Sequence, residues 1–162
     1  MGVDIFAKLD GIKGEAGDDK HKEEIEVLSY SWGVTNAGSM GYGGGGGEGK
    51  ATFHEISFMH NIDKASPLLM QACVLGTHLK EATITHRKAG AKGGAHEYMI
   101  VKLSDVIITA VTHGGGGGGG AHPENVSMSF AKVAVEYKPQ KNDGSLDAGV
   151  LFKYDLKANK EA

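Results

Sequence analysis

A chain of 162 residues and 16.9 kDa has room for one real hydrophobic core, since a domain of this size hides roughly 70% of its unfolded surface. Its net charge of −3 and pI near 6.2 provide no long-range positive field, which argues against nucleic acid or an anionic membrane as partner. The unusual number is 26 glycines among 162 residues, about 16% against the roughly 7% usual for proteins.

The amino end, MGVDIFAKLDGIKG, contains no apolar run of signal-peptide length and carries charge at Asp4, Lys8 and Asp10, so no Sec-type leader is expected and the chain starts in the cytoplasm. Met1-Gly2 lacks the Ser or Thr of a lipidation signal, because Phe6 stands there. Val3, Ile5, Ala7 and Leu9 alternate as a first strand, and EAGDDKHKEE, residues 15–24, reads as a solvated connection. A second strand spans about Ile25 to Val34. Its apolar residues move from odd to even numbers at Val27-Leu28, the signature of a β-bulge.

The stretch GGGGEGKA from Gly44 comes within one group of a nucleotide-binding loop: Gly44, Gly49 and Lys50 fit, and Ala51 stands where a hydroxyl would hold magnesium. A phosphate loop also needs a helix after it, whereas ATFHEISFMHNI alternates like a strand. Nucleotide binding is therefore not expected. Ile56, Phe58 and Ile62 mark a third strand. DKASPLLMQACVLG, residues 63–76, reads as the one helix, with Ser66 as N-cap, Pro67 in the first helical position and Gly76 as the left-handed terminator. Only Gln71 interrupts its apolar run, so it must be covered on several sides. Cys73, the only cysteine, is expected to be a small buried hydrophobe.

Ala82 to Lys88 predicts a fourth strand, and His96 to about Val111 a long one bent near Ser104-Asp105. Gly114 to Gly120 form an uninterrupted run whose ordering is entropically costly. Asn125 to Tyr137 alternates with a second phase slip between Phe130 and Val133, and Val150 to Leu156 forms a last strand. The glycine-rich stretches 40–50 and 113–122 become rim loops, and residues 158–162 a frayed tail. The pattern predicts a single domain over 1–162, mainly β: an antiparallel β-barrel, closed or nearly so, with bulged strands and one short α-helix, and a two-sheet sandwich as the alternative.

No catalytic, cofactor or metal site emerges. His54 and His60 lie too far apart along a strand to share an ion, His113 and His122 flank the glycine run with only Glu124 nearby, and no Ser sits in a nucleophile elbow. The histidines read as surface or rim groups. In the second strand Ser29 and Ser31 alternate with Tyr30 and Trp32, which turns the hydroxyls outward and the aromatics inward.

VDIFAKLDGIKGE, EEIEVLSYSWG, DKASPLLMQACVLG with HLKEATITHRKAG, and NVSMSFAKVAVEYKPQKNDGS together resemble the haemolysin-coregulated protein family of bacterial type VI secretion. The resemblance runs in order over almost the whole chain and implies a barrel subunit of hexameric rings that stack into a tube. That tube lies within a sheath, carries a spike and is ejected with effector cargo, by a route independent of a signal peptide. Here the chain ends soon after the last strand, so the plain carrier form without a fused effector is expected. On this resemblance Ser29 and Ser31 are expected to face lumen and cargo, and the loop holding Gly43, Gly44, Gly45, Gly46, Gly47 and Glu48 to contact another subunit. The competing reading is a monomeric β-barrel module that binds a ligand or peptide at its glycine-rich mouth.

Overall fold

The computed structural model describes residues 2–38, 51–89 and 95–162. In chain order it contains β1 (Val3–Leu9), β2 (Ile25–Glu26), β3 (Ser29–Ser31), β4 (Val34–Asn36), β5 (Ala51–Phe53), β6 (Ile56–Asn61), α1 (Ser66–Leu75), β7 (His78–Ala89), β8 (Ala95–His113), β9 (Pro123–Tyr137), β10 (Val150–Asp155) and β11 (Lys160–Glu161). All the strand pairs are antiparallel, as short connections between alternating segments allow.

Nine strands form one sheet in the order β11-β10-β9-β8-β7-β1-β2, with β6 on the far half of β9 and β3 on β6. The inward positions of this curled sheet supply the core: Leu9, Ile25, Ile56, Phe58, Ala82, Ile84, Val101, Leu103, Val126 and Met128 are buried in one cluster. The expected barrel does not close by strand pairing. β2 and β3 are too short to make a continuous wall, and no ladder joins the β1–β2 side to the β3–β6 side among the described residues. Instead the chain turns a corner there: Val27 donates its N–H to Ile5 and Leu28, the next residue, donates to Met59. The phase slip at Val27-Leu28 is thus a change of partner strand rather than a bulge.

The second slip has a different cause as well. Phe130 and Ala131 are both buried in an unbroken β9. Opposite them, Asp105 adopts φ 53 and has no registered partner between the Ser104–Lys132 and Val106–Phe130 pairs, while Ala131 gives its carbonyl to Leu156. The true register shifts lie at His86/Arg87 against β8 and at Ile108/Ala110 against β9.

The helix is where the sequence places it, with one correction. Ala65 and not Ser66 is the capping residue; Ser66 is the first helical residue, and its hydroxyl accepts the Asp63 N–H at 3.1 Å while Asp63 Oδ1 accepts from Ala65 at 2.8 Å. An aspartate two residues upstream thus substitutes for the cap. Gly76 closes the helix at φ 62, where Thr77 N–H reaches the Ala72 carbonyl, because a left-handed residue without Cβ is cheap there. Residues 158–162 also differ from the expected fraying: a turn at Asn159 (φ 53), tied to Tyr154 by a 2.7 Å side-chain bond, folds β11 back onto Tyr154 and Asp155. β4 and β5 form a separate antiparallel pair, closed at its base by Trp32 Nε1, which donates to the His54 carbonyl at 2.9 Å, and joined to the body where the Trp32 ring meets Phe130 edge-on.

Candidate interaction surfaces

The sheet registers build one continuous polar face. Ser29 and Ser31 are exposed on β3, and Tyr30 between them turns toward the core. Across the strands Ser31 pairs with Ser57, Ser57 with Ser127 and Ser127 with Ala110; the neighbouring row runs Ser29, Met59, Asn125, Thr112. Residues paired directly across strands share a face, and the 2.8 Å bond between Ser57 Oγ and Ser127 Oγ is a consequence. Alternation alone turns Ser57 away from Ile56 and Phe58, but its pairing with Ser31 and Ser127 leaves no local signal, since the partner strands are distant in sequence. Gly43, Gly44, Gly45, Gly46, Gly47 and Glu48 lie outside the described residues. The second glycine run is described, with φ of 117, 87 and 117 at Gly118, Gly119 and Gly120, conformations that favour glycine.

Two apolar surfaces lie on different elements. On α1, Leu69 and Ala72 are buried while Leu68, Val74 and Leu75 stay exposed, which is how a helix apolar nearly all round meets only one layer of sheet. On β10, Val150, Leu151 and Phe152 are exposed, and the β11 segment covers only the end of the strand, pairing with Tyr154 and Asp155. Lys153 gives its carbonyl to the Ala162 N–H, so among the described residues the backbone of Val150 to Phe152 keeps an open hydrogen-bonding edge. An aromatic row runs inward from it, Phe152 to Tyr154 to Phe53 to Trp32 to Phe130, with centroids 5.0 to 6.4 Å apart.

Polar clusters stiffen the frame. Glu124 is fully buried at the start of β9 and accepts from His60 Nε2 and His113 Nδ1, both at 2.9 Å, since the three are cross-strand neighbours on β6, β9 and β8. Burial raises the Glu124 pKa, but hydrogen bonds from His113, His60 and Ser66 outweigh it and hold the carboxyl below its ordinary 4.5. His60 is thus a core residue and not a rim group. The segment 15–24, expected to be solvated, is a clasp: Asp18 takes two bonds from Arg87, at 2.8 and 2.6 Å, and His21 bridges Glu24 and Glu97 while stacking on Phe6. The Arg87 bonds draw the Asp18 carboxyl far below the ordinary carboxylate range.

Among the described residues no group of His, Cys, Asp or Glu is arranged to hold a metal ion, and no helix is long and apolar enough to cross a membrane. A cleft of about 610 Å³ beside α1 is lined by Leu9, Ile12, Leu68 and lysines such as Lys8 and Lys22, with no hydroxyl, thiol or imidazole side chain on its wall. Its charged groups, Asp10, Glu23 and Glu24 among the lysines, include the ion pair of Lys13 with Glu23 at 3.1 Å.

Comparison with known proteins places these surfaces in context. Residues 6–137 match the family model described as type VI secretion system effector, Hcp. The chain is 45% identical to the protein hcp1 of Pseudomonas aeruginosa over the full length of both. Among solved structures, Hcp1 from Salmonella typhimurium is 39% identical with a TM-score of 0.81, each chain covered completely. A structure described as a type six secretion system protein is 29% identical with a TM-score of 0.91, covering 99% of this chain and all of the other.

Proposed function

The chain belongs to the Hcp family of type VI secretion system effectors, and we propose that it acts as a structural carrier: copies close into a hexameric ring, rings stack into a tube, and the tube is expelled with cargo in its lumen. The observation that carries the assembly is the presence of two unlike exposed apolar surfaces on one subunit, the α1 end at Val74 and Leu75 and the β10 edge at Val150 to Phe152. A ring needs a heterologous contact, in which one patch meets a different one. Unlike patches suit closure into a ring, whereas one self-complementary patch would suit a two-fold dimer. In this arrangement the hydroxyl face of β3, β6 and β9 forms the lumen wall, with Ser29 and Ser31 touching cargo. The glycine-rich loop from Gly43 to Glu48 reaches the neighbouring subunit. Sheath and spike are the tube's other partners.

Light scattering of the purified protein reads the assembly directly. A mass of about six protomers with annular particles in electron micrographs is the expected result, and a monomer at every concentration would overturn the proposal in favour of a ligand-binding module. Ser31→Arg should leave ring mass unchanged and reduce cargo retention at least about tenfold, because a long cation replaces a small hydroxyl on the contact face.

A further inference from the structure

The outer face of β3, β6, β9 and β8 is uniform in a way that goes beyond its serines, and any role for it in cargo choice rests on the lumen assignment under Proposed function. We propose that this face selects its cargo by uncharged hydrogen-bonding chemistry, favouring neutral protein surfaces, with Ser57, Ser127 and Asn125 as contact groups and Met59 as the one large apolar contact.

The two cross-strand rows, Ser29–Met59–Asn125–Thr112 and Ser31–Ser57–Ser127–Ala110, contain no ionisable side chain, although 23% of the chain is charged. Elsewhere on the sheet charges do occupy exposed strand positions: Lys8 on β1, Lys80 and Glu81 on β7 and Lys153 on β10. The carboxylate beside the rows, Glu55, is already engaged by the Thr109 hydroxyl at 3.0 Å. Ser57 and Ser127 bond to each other at 2.8 Å, which uses one donor and one acceptor and leaves a hydroxyl hydrogen and several lone pairs for a visitor.

A lone exposed apolar residue is ordinary, but the surroundings of Met59 are specific. It is 38% exposed, and it is flanked by Ser29 and Asn125 across the sheet and by Ser57 and Asn61 along its own strand. An unbranched thioether adapts its shape to many partners, so it supplies some burial without demanding one shape. A charged wall would select the opposite charge and reject the like one. A neutral wall discriminates little between neutral cargos and holds them without deep ion pairs, so its grip is nearly indifferent to salt.

The test uses assembled rings and labelled peptides built on one Gly/Ser/Leu scaffold, in a neutral, an Asp-substituted and a Lys-substituted version. Fluorescence anisotropy is read at about 50 mM and about 500 mM salt. The neutral peptide should bind best, with Kd changing less than about twofold between the two salts. Ser127→Lys, and independently the more exposed Met59→Lys, should move the preference to the Asp peptide and make its binding weaken roughly tenfold at high salt. Preference of the unaltered rings for a charged peptide, a tenfold salt effect on the neutral one, or intact rings that bind none of the three would overturn the inference. Particle mass in the same samples separates the two levels: absence of rings sinks the assembly proposal, while intact rings with the wrong ranking sink only this one.

Discussion

Replacing Val74 and Leu75 together by lysine separates what α1 does for the subunit from what it does for assembly. In the isolated subunit Val74 is 83% exposed and Leu75 68%, so their loss should stay within about 0.5 kcal/mol of neutral. Lysine is chosen because both positions lie in the last helical turn, which has no basic residue; a cation there meets the negative end of the helix dipole favourably, and lysine is a better helix former than valine. In a ring that covers these side chains the calculation reverses. Burying a Val or Leu fully is worth about 1.5–3 kcal/mol, and most of that surface is still available for burial, so the pair contributes roughly 3–4 kcal/mol per contact. At 1.4 kcal/mol per factor of ten, each contact weakens by about two to three orders of magnitude. Sedimentation velocity over a concentration series should show rings replaced by single subunits, with a melting temperature within a few degrees of that of wild type diluted until it too is monomeric. Rings persisting at unchanged concentration would refute the placement of this patch in the interface. A large drop in melting temperature would show instead that the side chains are more deeply packed than their exposure indicates.

Three further substitutions probe the frame. Gly76→Ala puts a Cβ on a residue at φ 62 with open space around it, so only conformational strain is added; a loss of about 1 kcal/mol and a melting shift of roughly 2–4 °C are expected, and a shift above about 8 °C would point to packing instead. For Gly14→Ala, the new Cβ would lie 2.5 Å from the Glu24 carbonyl oxygen and 2.8 Å from the Ile25 side chain, a clash with backbone that should cost about 1–3 kcal/mol in urea titrations; an unchanged midpoint would show that the clasp shifts freely. Glu124→Gln tests the buried cluster through pH. The folded carboxyl is held below 4.5, so its contribution is complete above that value and disappears as pH falls through the folded pKa. The gap between wild type and variant should be largest near neutral pH and narrow as pH falls below 4.5; a constant gap would mean that the charge of Glu124 plays no part.

Much of the architecture is readable along the chain because alternation is a local property. Ile56 and Phe58, or Val150 and Phe152, show a strand by their own spacing, and Pro67 with Gly76 brackets the helix by backbone constraints that each residue carries alone. The outward direction of Ser29 and Ser31 comes from the same rule. Partnership is another matter. That Val27 and Leu28 turn to different strands, that Glu124 sits between His60 and His113, and that Asp18 reaches Arg87 across 69 positions of chain depends on which segments meet.

The amino-acid order alone determined a mainly β subunit with one helix, its inward and outward residues, and membership in a family whose segments recur in sequence. Only the folded arrangement decided that the sheet stays open at a seam, that serines from three strands merge into one uncharged face, and that the helix and the last long strand leave unlike apolar surfaces bare. The reason is physical: side-chain periodicity is set by the backbone within a few residues, whereas strand pairing, burial and charge neutralisation are set by neighbours that folding brings from tens of residues away.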